Sequence, residues 1–233
     1  MAATDDSPTR RRQQVESMSR IVVRPIGSPL PLGFAALGGA TVVLSGLQLG
    51  WFPVADSHQA AIIILAFAVP LQALASVFGF LARDSVGGTG IGLVAGTWLV
   101  TGLSSLTSPA GARSPVLGLL LLFSSAALMV PTAAAALGKV VAAAVIFGTA
   151  VRFALIGIYE YHGGTGWERL SGWWGVGLCV VALYGALAFE LEDTRRRTIL
   201  PVLRHGVGRQ AVRGGIRSEL NRVEVEAGVR EQL

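Results

Sequence analysis

Charge is scarce in this sequence and is unevenly placed. Asp, Glu, Lys and Arg make up 14% of the 233 residues; residues 25–189 hold nine of these side chains, whereas residues 1–24 hold eight and residues 190–233 hold sixteen. A water-soluble domain carries charged side chains on every exposed face. The central block is therefore excluded as such a domain, and we expect it to lie in lipid.

Cysteine and histidine are also scarce, which excludes several kinds of site. The one cysteine, Cys179, lies in an apolar run and cannot form an internal disulfide. His58, His162 and His205 lie far apart, without the spacing of a zinc hydrolase. We expect no metal site and no cofactor.

Motifs of hydrolases and nucleotide-binding enzymes are missing at the ends of the apolar runs, where no GxSxG, P-loop or SxxK pattern occurs. Almost no side chain within the runs can transfer a proton. We therefore expect a protein that is not an enzyme and has no catalytic residues. Hydroxyl groups, helix breaks and helix ends suit a pore or a carrier better.

Long apolar runs are what the chain has instead, since 52% of its residues are hydrophobic. Six runs approach the roughly 20 residues that a helix needs to cross a bilayer. They are continuous rather than alternating, so they predict helices and not the strands of a barrel. The predicted fold class is all-α, a polytopic membrane protein with six transmembrane helices. The predicted spans are 32–50, 59–82, 87–106, 115–137, 139–160 and 168–190.

The distribution of Lys and Arg predicts which side of the membrane each end occupies. With both termini inside, sixteen of these residues lie on the inner side and two, Arg113 and Arg169, lie on the outer side. Positive residues accumulate on the cytoplasmic side. We predict cytoplasmic N and C termini in a multi-pass protein of the cell membrane, the plasma or inner membrane.

Three regions follow from this pattern. Residues 1–27 predict a disordered cytoplasmic arm, and the polar residues after its arginine triplet argue against a cleaved signal peptide. Residues 28–193 are the predicted six-helix domain. Residues 194–233 are an arginine-rich cytoplasmic tail, either a short helix on anionic lipid or a solvated disordered segment. Nucleic-acid binding is not expected, because no aromatic residues lie among the arginines.

Prolines and glycines within the spans predict local features. Pro70 and Pro131 predict a kink or break, beside a cavity or tolerated for packing alone. Gly88, Gly92 and Gly96 form two GxxxG steps in the third span, and Gly46 with Gly50 forms another in the first. Such steps favour close helix packing.

The start of the first span predicts a helix N-terminus whose free N–H groups either attract an anion such as a carboxylate or serve only as a rigid helix start. Its sequence, SPLPLGF at residues 28–34, resembles the N-P-x-P-L-G-L signature of the acetate uptake transporter family, the YaaH-type acetate/succinate:proton symporters. Residues 84–89, DSVGGT, followed by GTWL at 96–99, are similar to the family's G-D/N-T-F-x-x-T-A-F…W-L stretch. RTILP at 197–201 and GWE at 166–168 extend the resemblance.

The resemblance implies a six-helix protomer with cytoplasmic termini, a homo-oligomer that is a hexamer in family members, and a pore for small monocarboxylates in each protomer. The asparagine of the first motif is Ser28 here. Family pores are narrowed by a phenylalanine, a tyrosine and a leucine. By register these positions fall on Leu37, Val94 and Thr149, which implies a wider or differently selective pore.

Arg152 is the one charged residue deep within a predicted span. An ionisable group at that depth is a functional candidate by default. Its guanidinium either binds a carboxylate in the pore or extends outward to the interface. The complete predicted substrate pathway is Ser28, Pro29, Pro31, Leu32, Gly33, Leu37, Thr89, Val94, Thr149 and Arg152.

We therefore expect transmembrane transport of small, acetate-like monocarboxylates, coupled to protons. The simplest coupling has the proton travel on the substrate; a relay through Glu160 or His162 at the outer mouth is the alternative. A channel for a small neutral solute or ammonia is a second hypothesis, favoured if the altered constriction is apolar and Arg152 faces lipid or the interface. A third is a non-transporting membrane scaffold whose tail recruits a partner. Expected partners are the carboxylate, protons, anionic lipid and further copies of the chain.

Overall fold

Six helices long and apolar enough to cross a membrane make up the fold, which confirms the predicted all-α class. The computed structural model describes residues 27–195 and 198–204, and these ranges contain no strand beyond one isolated bridge. Predictions for the N-terminal arm and for most of the tail lie outside the described residues. The helices are α1 Leu30–Gln48, α2 Val54–Leu81, α3 Ser85–Thr107, α4 Pro115–Ala136, α5 Val140–His162 and α6 Thr165–Arg195.

Two helices extend five residues beyond one end of their predicted spans. α2 begins with a 3-10 turn at Val54–Asp56, five residues before the predicted start. α6 continues to Arg195, five residues past its predicted end. Hydropathy detects the part of a helix that is apolar, whereas helix formation also includes polar turns at its ends.

Short connections and side-chain caps set the helix starts. Three residues join α2 to α3, and three join α4 to α5, so these pairs run antiparallel. The Asp84 carboxylate accepts from the amide of Gly87 at 3.0 Å, and the Ser114 hydroxyl accepts from the amide of Leu117 at 3.2 Å. Each occupies the N-cap and satisfies an otherwise unpaired N–H.

α5 is the most enclosed helix. Its most apolar stretch is 67% buried, against 33% for those of α2 and α4. α4 and α6 pack beside α5, α1 packs along α6, and α2 packs along α3. The polar residues in the middle of α5, Thr149 and Arg152, are fully buried against other helices.

Close packing at glycine occurs at some of the predicted positions. A Cβ on Gly88 would lie 3.1 Å from the Phe80 ring, and one on Gly92 would lie 2.7 Å from Ser76 Oγ, which confirms the expectation for this part of α3. The expectation was wrong for Gly96, which has nothing within 4 Å. It was also wrong in α1, for separate reasons. Gly46 makes room for the Phe52 ring, and Gly50 follows α1 in a turn at φ 71°.

Pro70 and Pro131 are accommodated differently. α2 contains a π-helical turn at Ile64–Ala68 directly before the segment that holds Pro70. A π turn shifts the hydrogen-bond pattern, and this is how a helix continues past a residue that lacks an N–H. Pro131 lies inside α4, and the helix continues to Ala136.

Substitution of Gly79 by alanine is expected to lower the unfolding free energy by about 1–3 kcal/mol. A Cβ there would lie 2.9 Å from the backbone N and Cα of Gly88, so α2 and α3 would have to separate. Thermal melting of the detergent-solubilised protein measures the effect. Gly96→Ala is the matched control and should be neutral or stabilising, because alanine is the better helix former. Equal melting of both variants would contradict the close contact.

Residues 198–204, the return segment, lie back against the helices. Val202 is fully buried, and the Tyr184 hydroxyl donates to the carbonyl of Pro201 at 2.9 Å. The Glu192 carboxylate accepts from Thr198 Oγ1 at 2.9 Å and from Arg204 Nε at 3.0 Å. This part of the predicted tail is therefore held by α6.

Glu192→Gln is expected to loosen the return segment, because loss of charge-assisted hydrogen bonds costs about 1.5–3 kcal/mol. Amide hydrogen exchange over residues 198–204 should accelerate about tenfold or more. Glu190→Gln is the matched control, since Glu190 is exposed on the same helix. Unchanged exchange in Glu192→Gln would show that the apolar contacts and the Tyr184 hydrogen bond hold the segment without the carboxylate.

Candidate functional site

α1, α3 and α5 meet at two levels of the bundle. At the first level, a Cβ on Gly33 of α1 would overlap Ile91 of α3, and one on Gly90 would lie 3.2 Å from Ile146 of α5. These contacts bring α3 against both α1 and α5.

At the second level, about two turns further along each helix, the three helices are in contact again. Arg152 of α5 donates from Nη2 to the carbonyl of Thr41 in α1 at 3.2 Å. The rings of Trp98 in α3 and Phe153 in α5 meet edge to face, with their centroids 5.6 Å apart.

The predicted constriction residues lie between these two levels. Leu37, Val94 and Thr149 each follow the first level by one helical turn and precede the second by one turn. Their exposed fractions are 3%, 4% and 0%. Thr149 turns its hydroxyl to the Val145 carbonyl of its own helix at 2.8 Å. All three are therefore enclosed at one depth of the same three-helix core.

The Arg152 guanidinium lies in the interior among α1, α5 and α6 and has no exposed surface. Nη1 donates to the Ser171 carbonyl at 2.7 Å, and Nη2 donates to Gln48 Oε1 at 3.3 Å. Gln48 Oε1 also accepts from the Ser171 hydroxyl at 3.3 Å. Of the two alternatives for this residue, extension outward to the interface is wrong; the side chain faces the bundle interior.

The positive charge of Arg152 has neutral partners. Among residues 27–195 and 198–204, no carboxylate lies within ion-pair distance of it. Its Nε is buried without a hydrogen-bond partner, and so are the hydroxyls of Thr41 and Ser45. Each such group loses solvation without compensation.

Gly175 of α6 makes room for this arrangement. A Cβ built there would overlap Nη1 and Cζ of Arg152 and the hydroxyl oxygen of Ser45. The guanidinium and that hydroxyl therefore lie around one point against the α6 backbone.

The first motif, at the start of α1, is only partly enclosed. Pro29 is the buried N-cap and Gly33 is buried, whereas Leu32 is 37% exposed. Pro31 is half-buried in the first turn. Ser28 donates its amide to Asp193 Oδ2 at 3.3 Å. The carboxylate found at this helix start therefore belongs to α6 of the same chain.

Two other positions lie apart from the buried core. Thr89 is on an exposed face of α3 and does not join Leu37, Val94 and Thr149. Glu160 accepts the amide of Ser114 at 2.7 Å, so its carboxylate supports the start of α4. In the part of the chain that the structure describes, no three His, Cys, Asp or Glu side chains are grouped to hold a metal ion.

Sequence reasoning missed the residues around Arg152. A signal was present in α1, where Thr41, Ser45 and Gln48 follow one another at helical spacing and place polar groups on one face. Ser171 and Gly175 carried no comparable signal, because their role depends on how α6 packs against α5.

Comparison with solved structures identifies a relative of this fold. A chain described as "Structure of the bacterial acetate channel SatP" superposes with a TM-score of 0.65 and 24% identity, covering 76% of this chain and 99% of that chain. This chain has the fold of that acetate channel. No model of a known protein family matches the sequence, and no curated protein does. The likeness to SatP establishes the architecture.

Proposed function

We propose that this protein transports small monocarboxylates, with acetate as the reference substrate, across the cell membrane. The observation that carries the proposal is a fully buried guanidinium without a carboxylate partner among the described residues, inside a fold shared with an acetate channel. A fixed cation in a low-dielectric interior favours an anion strongly. Leu37, Val94 and Thr149, at one depth beside it, are the proposed constriction.

Protons accompany the substrate in this proposal. A carboxylic acid crosses an apolar constriction far more cheaply when it is neutral than when it is charged. Glu160 already bonds the α4 start, which favours transfer on the substrate over a relay through that residue.

Uptake of labelled acetate into liposomes that contain the purified protein tests the function. We expect saturable uptake, stimulated by an inward proton gradient and reduced by propionate and lactate. Succinate should compete weakly, because its second carboxylate adds desolvation cost. Saturable uptake whose rate is the same with and without the proton gradient would establish a channel without proton coupling. Absence of uptake above empty liposomes would contradict the proposed function.

An Arg152 that faces lipid or the interface would favour the alternative of a neutral-solute or ammonia conduit. The side chain is instead enclosed, which supports the carboxylate. The scaffold alternative is tested by truncation. Deletion should begin after Arg204, because this residue bonds Glu192. Transport that survives removal of residues 205–233 would oppose a purely tail-based role.

We also propose that copies of this chain assemble into a homo-oligomer, a hexamer by family resemblance. α2 and α4 carry large exposed apolar side chains, which either lipid or a neighbouring copy can cover. Native mass spectrometry from detergent gives the number of copies, and a monomer at all concentrations would contradict assembly.

A further inference from the structure

One face of α1 presents polar groups to Arg152 over two helical turns. Thr41 meets the guanidinium through its carbonyl, and Gln48 meets it through its side-chain oxygen. Ser45 lies between them in sequence, and its hydroxyl shares the space against Gly175 with the guanidinium. Three successive positions on this face of α1 thus lie against the Arg152 guanidinium.

The two hydroxyls on this face do not serve the fold by hydrogen bonding. Thr41 and Ser45 have exposed fractions of 0%, and neither hydroxyl oxygen has a partner. Other buried threonines differ, because Thr132 and Thr149 bond carbonyls of their own helices at 2.7 and 2.8 Å. A buried hydroxyl without a partner is a cost to stability.

We propose that the Thr41 and Ser45 hydroxyls and the Arg152 Nε–H form a carboxylate subsite that lies one helical turn beyond the constriction residues. The proposal rests on the proposed function, since the ligand is the carboxylate of the transported substrate. A carboxylate has two oxygens that accept several hydrogen bonds, and it neutralises the guanidinium. All three donors are then satisfied by one small anion.

The remaining contacts of Arg152 hold the guanidinium for this role. Ser171 and Gln48 bond Nη1 and Nη2 and leave Nε available, and Gly175, which has no side chain, lets the guanidinium lie against the α6 backbone. Substrate held here lies next to Leu37 and Thr149. The subsite therefore concentrates the anion at the constriction.

The test is the double variant Thr41→Val/Ser45→Ala, which removes both hydroxyls and keeps the Thr41 carbonyl and the Arg152 contacts. We expect the KM for acetate uptake to rise about tenfold or more, as for the loss of two hydrogen bonds to a charged ligand. Thr132→Val is the matched control, because it removes a buried hydroxyl that already has a partner. Its KM should equal that of the wild type.

Thermal melting in sodium acetate and in sodium chloride of equal ionic strength gives a readout that is independent of transport. Acetate should raise the Tm of the wild type and of Thr132→Val, but not that of the double variant. Acetamide, which has the shape of acetate without its charge, should raise none of them. Without acetate, the double variant should melt at or above the wild-type temperature, because it loses two unsatisfied groups.

The outcomes separate this inference from the proposed function. If the wild type takes up acetate and the double variant has the same KM, the subsite is overturned and the proposed function stands. An acetate-specific Tm shift that the double variant loses, without uptake by the wild type, supports the subsite and overturns transport. Equal Tm shifts with chloride and acetate overturn the assignment to a carboxylate. A double variant that melts well below the wild type without acetate shows that the hydroxyls serve the fold, which also overturns it.

Discussion

Arg152→Met is expected to reduce acetate uptake about 30-fold or more, since removing one partner of a buried charge pair costs about 2 kcal/mol or more. The protein should remain folded. Ser171 and Thr41 contribute main-chain carbonyls from helix interiors, and Gln48 Oε1 retains its bond from the Ser171 hydroxyl. Replacement of a buried ion by an apolar side chain of similar volume is often neutral or stabilising.

Liposome uptake and thermal melting of the same preparations measure both parts of this prediction. Arg169→Met is the matched control, because Arg169 is exposed on α6 and the variant has the same net charge. It should transport like the wild type. Unchanged uptake by Arg152→Met would show that the residue has no role in transport. A variant that fails to fold would show that Arg152 serves to connect three helices.

Gly175→Ala is expected to produce the largest loss of stability in the described core, about 3 kcal/mol or more. Its Cβ would occupy the place of the guanidinium, so Arg152 would lose the position in which Nη1 donates to the Ser171 carbonyl at 2.7 Å. Burial of a charge without these partners has a large cost in free energy. Thermal melting and the yield of monodisperse protein measure the effect.

Gly177→Ala is the control for this substitution, because Gly177 lies on the same helix with nothing within 4 Å of its Cβ position. It should melt like the wild type. The double variant Gly175→Ala/Arg152→Met should recover much of the lost stability, because the charge that the methyl group displaces is then absent. If the double variant is as unstable as Gly175→Ala, the instability does not come from the contact between the added methyl group and Arg152.

The sequence was sufficient to predict the number and order of the helices, because a helix that crosses lipid must consist mainly of apolar residues. It also drew attention to Arg152, since a single charge in an apolar run is conspicuous. It did not identify Ser171 or Gly175 as neighbours of that charge. Contacts between helices distant in sequence depend on rotation and register, which a short run of small and apolar residues barely encodes.

The return segment illustrates the same limit at the end of the bundle. Arginines after Glu190 predicted a tail that is either a short helix on anionic lipid or a solvated disordered segment, yet Arg204 bonds Glu192 and Val202 is fully buried. Charge density alone does not distinguish an arginine that meets lipid from one that meets a carboxylate of its own chain. The RTILP resemblance marked this segment without indicating what it contacts.

The π-helical turn at Ile64–Ala68 has a consequence for how α2 tolerates changes in length. A π turn holds one residue more than the α-helical turn it replaces, and each residue of an α-helix turns the chain by about 100°. Deletion of one residue here would convert the turn to α-helix and preserve both halves of α2. Deletion of one residue between the π turn and Gln72 would instead rotate Gln72, Ser76 and Gly79 away from their neighbours. A related chain with an uninterrupted second helix should therefore align with a single-residue gap at this turn, and nowhere else in α2.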